Sequence, residues 1–343
     1  MKKYIILISI IILFSFITFA AENSDIALKI IDTLPTLKTS EEILASFEAL
    51  GQLWIYDKQE EVESGMKSLA IRFKGTQYEP IALYVLTKNA SSDADKMKYI
   101  DQVLSETPRH FLADDLLFKK YSLLMKPYPM EEYETEDGGM VTEYPSPEST
   151  GDIFAILDSL ANNYKGYYFN DIGYGLMIDE QKLKDNGNGF LFYVAPQALW
   201  EKAKIYSSRM KNYKESIEVL DQLEENYPDN RILYVDAETG VDTGMGVGIS
   251  APEVNILKAS IYAQNLNDQK GAANCYLKIL TKYSTFYRYN AKGSREYSFV
   301  LGDALSILDK SHQKELLEKA IQKTKDAALR KEMQKSLRQL SNK

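Results

Sequence analysis

An internal repeat constrains this chain more than any other feature. Residues Pro196 to Tyr227 can be laid over Pro252 to Tyr283 at an offset of 56 with no gap. Pro196 falls on Pro252, Ala203 on Ala259, Ile205 on Ile261, Tyr206 on Tyr262, Leu223 on Ile279 and Tyr227 on Tyr283. A repeated unit of this size is one supersecondary element that buries its apolar side only by stacking on a neighbour. Within each copy the apolar residues recur at three- and four-residue steps, the period of a helix. Each copy opens with a proline in its first helical turn, where the missing N–H costs nothing. Ser250 and Glu253 have the spacing of a capping box in the second copy. Each copy therefore reads as two antiparallel helices joined by a short turn, Lys211-Asn212 or Asn267-Asp268.

The helical period extends beyond the repeat. It predicts helices over 25–34, 41–56, 59–73, 77–88, 94–106 and 109–125, with Thr39 and Glu42 forming a capping box and Gly51, Gly75 and Pro108 as stops. The stretch from Ile100 to Pro108 echoes Leu220 to Pro228, as in a more diverged hairpin. Residues 126–150 interrupt the pattern with Pro, Gly and the acids Glu131, Glu132, Glu134, Glu136 and Asp137, and read as a loop or linker. A helix returns over 152–164. Residues 166–195 are irregular: aromatic runs flank Asp185-Asn-Gly-Asn-Gly, which suits either a short β-hairpin or an aromatic loop. Two or three helices follow over 297–341, where Leu329, Met333, Leu337 and Leu340 make one narrow apolar stripe. From Asp309 onward ten Lys/Arg face five Asp/Glu, and a polar, basic last helix suits the cap that a stack of repeats needs.

The N-terminus reads as a secretory signal. Lys2 and Lys3 precede a largely apolar run, Tyr4 to Phe19, with small residues around a cut after Ala20. Sixteen residues reach about 24 Å as a helix, short of a hydrocarbon core of roughly 30 Å. Losing Lys2 and Lys3 takes the formal charge from -8 for the whole chain to -10 for the mature one. That balance argues against nucleic acid as a partner and against an anionic membrane surface held by charge. The domains expected are the signal over 1–20, a helical region over 21–125, the acidic loop over 126–150, a helix plus aromatic insert over 151–195, and the repeats with their basic cap over 196–343.

Residues 197–230 resemble a tetratricopeptide repeat of the kind found in exported bacterial proteins. Trp200, Tyr213, Ser216, Leu220 and Pro228 stand at that family's aromatic, small, large apolar and proline positions. Residues 252–285 are similar but end in Ser284 where the proline belongs. Other departures are Lys204 at the expected small position, with Ala203 beside it, and 22 residues inserted between the copies. The resemblance implies an all-α fold, an αα-superhelix of helical hairpins with an irregular or β-hairpin insert. It also implies that the first helix of each repeat lines a concave face that holds a protein or peptide. Gln197, Glu201, Lys204 and Ser208 line that face in the first copy, and Glu253, Ser260 and Gln264 in the second.

Little in the chain points to catalysis, and it is expected not to be an enzyme. Cys275 is the only cysteine and aligns with apolar Val219, and His110 and His312 are the only histidines. These supply neither a nucleophile–base pair nor a zinc site, so no metal or cofactor is expected. Gly244-Met-Gly-Val-Gly-Ile-Ser-Ala contains G-x-G-x-x-A, but no strand runs into its first glycine and helical repeats flank it. The expected function is an exported adaptor of the cell envelope that binds a protein or peptide. The alternative is a periplasmic ligand- or glycan-binding protein. There Tyr167, Tyr168 and Tyr174, from a chain with 24 tyrosines, would form the contact surface. A hydrolase built on two carboxylates is a third class.

Overall fold

The computed structural model describes residues 24–52, 58–128, 131–134, 140–143, 146–147, 150–165, 190–191, 194–227, 233–234, 251–283, 288–289, 295–296 and 298–341. The signal segment, Tyr167, Tyr168, Tyr174 and all of the G-x-G-x-x-A run but its final Ala251 lie outside these residues. The chain is all-α, with short antiparallel strand pairs beside its helices. It divides into two compact units, one of residues up to Pro127 and one holding the described residues from Tyr128 onward.

The first unit holds α1 (24–33), α2 (Ser40–Gln52), α3 (Gln59–Arg72), α4 (Glu79–Asn89), α5 (Asp93–Glu106) and α6 (Ala113–Met125). Helix α4 is its axis. Pro80 starts it, and Ile81-Ala-Leu-Tyr-Val-Leu86 are all buried. A helix apolar on every side has to be covered on every side. Helices α2, α3 and α5 do so, contributing Phe47, Leu50, Met66 and Ile100 to one core. Helices α1 and α3 come so close that a Cβ on Gly65 would lie 2.8 Å from Ile31 Cγ2. The Thr39 capping box forms as expected, with the Glu42 N–H donating to Thr39 Oγ1 at 3.2 Å. Gly75, at φ +74°, ends the turn after α3, whereas Gly51 lies inside α2. Helix α6 starts at Ala113, not at 109, because His110 holds a turn after Pro108. Its Nδ1 accepts the Leu112 N–H at 3.3 Å, and the Ala113 N–H donates to its carbonyl at 2.9 Å.

The second unit opens with a difference from expectation. Residues 126–150 are more than a loop, since β1 (Glu131–Glu134) pairs antiparallel with β2 (Met140–Glu143). The acidic count conceals a strand signal: Tyr133 and Val141 face each other in register, and Asp137-Gly138-Gly139 lies between the strands. Helix α7 (Thr150–Asn163) follows. At the end of the aromatic insert, β3 (Phe190–Leu191) pairs with β4 (Leu233–Tyr234), a partner 43 residues away.

The repeat recurs in the backbone, with the π-turn and the second helix at the offset of 56. Helix α8 (Val194–Lys204) widens into a π-turn at Ile205–Arg209, and α9 (Tyr213–Asn226) returns along it. Helix α10 (Ala251–Ser260) widens at Ile261–Asn265, and α11 (Gln269–Lys282) returns. The Met210 N–H reaches the Ile205 carbonyl at 3.0 Å, and the Leu266 N–H reaches that of Ile261 at 3.0 Å. Both turns then pass through a left-handed residue, Lys211 (φ 55°) and Asn267 (φ 53°). A strand pair, β5 (Arg288–Tyr289) with β6 (Arg295–Glu296), precedes α12 (Ser298–Ile307), α13 (Lys310–Lys323) and α14 (Ala327–Ser341). Helices α7 to α11 each pack on the next in the chain, α11 packs on α12 and α13, and α13 on α14. Leu329 and Met333 are buried in that last contact and Leu337 and Leu340 half-buried, the stripe read from the sequence.

Candidate functional site

The structure links most of the first-helix residues into local rows. Gln197 Nε2 donates to Glu201 Oε1 at 2.9 Å, and Lys204 Nζ lies 3.4 Å from the same carboxylate. The Ser208 hydroxyl donates to the Lys204 carbonyl at 2.6 Å. In the second copy the Ser260 hydroxyl donates to Gln264 Oε1 at 3.0 Å. Lys204 and Gln264 are exposed, and Gln197, Glu201, Ser208, Glu253 and Ser260 are half-buried. The opposite face holds Ala203 and Ala259, each fully buried, and the Ser216 hydroxyl donates to the Ala203 carbonyl at 2.9 Å.

A second constellation was not anticipated. Lys202 and Lys258 are 56 residues apart, and each reaches back to an aspartate on the preceding helix. Lys202 Nζ meets Asp158 of α7 at 2.5 Å, and Lys258 pairs with Asp221 of α9. The two aspartates open the same phrase, Asp158-Ser-Leu-Ala-Asn-Asn-Tyr164 and Asp221-Gln-Leu-Glu-Glu-Asn-Tyr227. So α7 corresponds to α9, as the second helix of an earlier hairpin. The signal was available in sequence, but its offset is 63 and a search at 56 passes over it.

Around Lys258 the pair grows into a network. Glu224, 9% exposed, receives Lys278 Nζ at 2.8 Å, Asn255 Nδ2 at 3.0 Å, Lys258 Nζ at 3.4 Å and the Tyr283 hydroxyl at 3.4 Å. Burial alone would raise the Glu224 carboxyl. The hydrogen bonds from Lys278 and Asn255 and the charges of both lysines outweigh it, so the group sits below the usual glutamate range. For Lys258, burial is likewise outweighed, by Asp221 and Glu224, and the ammonium is held above its ordinary value. Burial pushes the neighbouring Cys275 thiol up to about 11, which keeps it an inert thiol.

Beside this network an opening of about 380 Å³ lies along α10 and α11, lined by Lys258, Tyr262, Lys270, Asn274 and Lys278 among others. It offers the Lys270 and Lys278 ammoniums and the Asn274 amide on a wall that is also partly apolar, which suits the carbonyls or carboxylates of a bound chain. Among the described residues no group of three or more His, Cys, Asp and Glu could hold a metal ion, and no helix is long and apolar enough to cross a membrane. No protein-family model matches this chain, and a search of curated proteins finds no significant match.

Proposed function

We propose that this chain is an exported, non-enzymatic adaptor of the cell envelope that holds a protein or peptide on the first helices of its repeated hairpins. Gln197, Glu201, Lys204, Ser208, Glu253, Ser260 and Gln264 form the contact rows, and the opening beside Lys258 and Lys278 receives acidic or carbonyl groups of the partner. The observation that carries the reading is the recurrence of one hairpin, down to its π-turn and left-handed residue, with its polar first-helix row. Repeated hairpins that stack build extended surfaces rather than closed catalytic pockets.

The tetratricopeptide resemblance gains a physical account of its main departure. A π-turn is an α-helix with one residue inserted. Counting back from Pro228 crosses the turn at Ile205–Arg209, so the family's small position moves from Lys204 to Ala203, which is fully buried against α9.

The test is crosslinking of the tagged mature chain in its host, followed by capture and mass spectrometry. One or two dominant envelope proteins are expected. The double reversal Glu201→Lys with Lys204→Glu should then weaken capture by about tenfold, equivalent to roughly 1.4 kcal/mol. Capture that yields no protein partner, or that is indifferent to the reversal, would sink the reading.

A further inference from the structure

A cavity in the first unit belongs to none of the repeat surface. It has a volume of about 370 Å³ and lies between the α3–α4 turn, Gly75 to Glu79, and the end of α5, Val103 to Thr107, with His110 at one side. That volume is in the lower range of small-molecule sites, which run from roughly 300 to 1,000 Å³. Its floor is apolar, made by Pro80, Leu83 and Val103, all buried.

The polar groups around that floor have given their donors to the protein. The Thr76 hydroxyl donates to the Phe73 carbonyl at 2.6 Å, and the Thr107 hydroxyl to the Val103 carbonyl at 3.1 Å. His110 accepts the Leu112 N–H through Nδ1, and its ring donates to the Gln77 carbonyl. Burial lowers its pKa, so the ring is neutral at neutral pH. Apart from the Gln77 amide, what remains for a ligand is acceptors: two hydroxyl oxygens and the carboxylates of Glu79 and Glu106.

Glu79 is the decisive group. It is 8% exposed, and its oxygens take the Gly75 N–H at 2.6 Å and the Gln102 amide at 3.4 Å, both neutral donors. It stands in the first turn of α4. Among the described residues no cation forms an ion pair with Glu79 or Glu106, and no lysine or arginine lines the cavity. Buried charge is ordinarily met by a counter-charge. Here the carboxylate borders a cavity with an apolar floor.

We propose that this cavity binds a small organic cation, a protonated primary amine carrying a short apolar chain. The ammonium meets Glu79, with Glu106 at the rim and the two threonine oxygens taking its other hydrogens. The chain lies on Pro80, Leu83 and Val103. This site is independent of the repeat surface and would stand if that reading failed.

The experiment titrates the mature chain with n-hexylammonium, n-hexanol and hexanoate, followed by saturation-transfer NMR, and maps the ammonium by hydrogen exchange. Saturable binding of the cation alone is expected, with protection confined to 73–79 and 103–112. Glu79→Gln keeps the acceptor for Gly75 and removes the charge, and should weaken binding by about tenfold or more, the worth of one charged hydrogen bond. Exposed Glu106→Gln, which carries no folding risk, should weaken it less. The proposal is overturned if the cation does not bind, if hexanol or hexanoate binds as well, if protection falls elsewhere, or if a folded Glu79→Gln variant binds unchanged.

Discussion

Asp114 allows a stability prediction to be worked from one side chain. It stands in the first turn of α6 at 2% exposure, and its Oδ1 has no hydrogen-bond partner among the described residues. Burial pushes its carboxyl up to about 6, from 3.8 in an unfolded chain, against hydrogen bonds from its own N–H and that of Asp115. The folded state thus holds the proton more tightly than the unfolded state. Between pH 3.8 and about 6 the folded protein carries more bound protons, so stability falls as pH rises through that window and levels off above it. At 1.36 kcal/mol per pH unit, the cost at pH 7 is about 3 kcal/mol. Asp114→Asn keeps the shape and removes the titration. Urea unfolding from pH 4 to pH 7.5, read by hydrogen exchange of the α5 and α6 amides, should show the two proteins nearly equal in stability at the acid end. By pH 7 the variant should be more stable by about 3 kcal/mol. A difference that does not change with pH, or a variant less stable at pH 7, would refute the reasoning.

Two further substitutions test the second unit. Glu224→Ala leaves buried Lys258 with Asp221 alone and removes the acceptor of Asn255, and should cost about 3 kcal/mol in urea unfolding at pH 7, whereas replacing Glu224 and Lys258 together by leucine should cost less. Because the Glu224 carboxyl is held down, its contribution is present above the usual glutamate range and is lost as pH falls through its lowered value. Gly271→Ala places a Cβ 2.6 Å from Asp268 Oδ2 and 2.9 Å from the Tyr262 ring, and should lower stability by about 1–3 kcal/mol. Gly302→Ala on α12 meets nothing within 4 Å and should raise stability by about 0.5–1 kcal/mol; thermal unfolding measures both.

The helices were legible because their information is local. The capping box at Thr39 and Glu42, the stop at Gly75 and the apolar period fix most helix ends to within about two residues. The start of α6 was missed because it depends on a histidine ring filling a turn, which no period reports. The hairpin in the acidic segment was missed because charge masked a short strand signal. Strand pairing across 43 residues, Phe190–Leu191 with Leu233–Tyr234, has no local code.

The candidate sites divide in the same way. The row Gln197, Glu201, Lys204 follows from helix period and the repeat. The Glu224 network does not, because its members Asn255, Lys258 and Lys278 stand on α10 and α11 while Glu224 stands on α9. The cavity at Glu79 likewise needs α5 folded back against the α3–α4 turn.

From sequence alone, then, come the all-α class, the existence and phase of the repeat, and the face each helix buries, since these follow from spacing along one chain. Which charges are buried together, where the one-residue bulge falls in each first helix, and which carboxylate is left facing a cavity were decided by tertiary packing. Burial and counter-charge belong to pairs of surfaces, and a surface has no partner until the chain has folded.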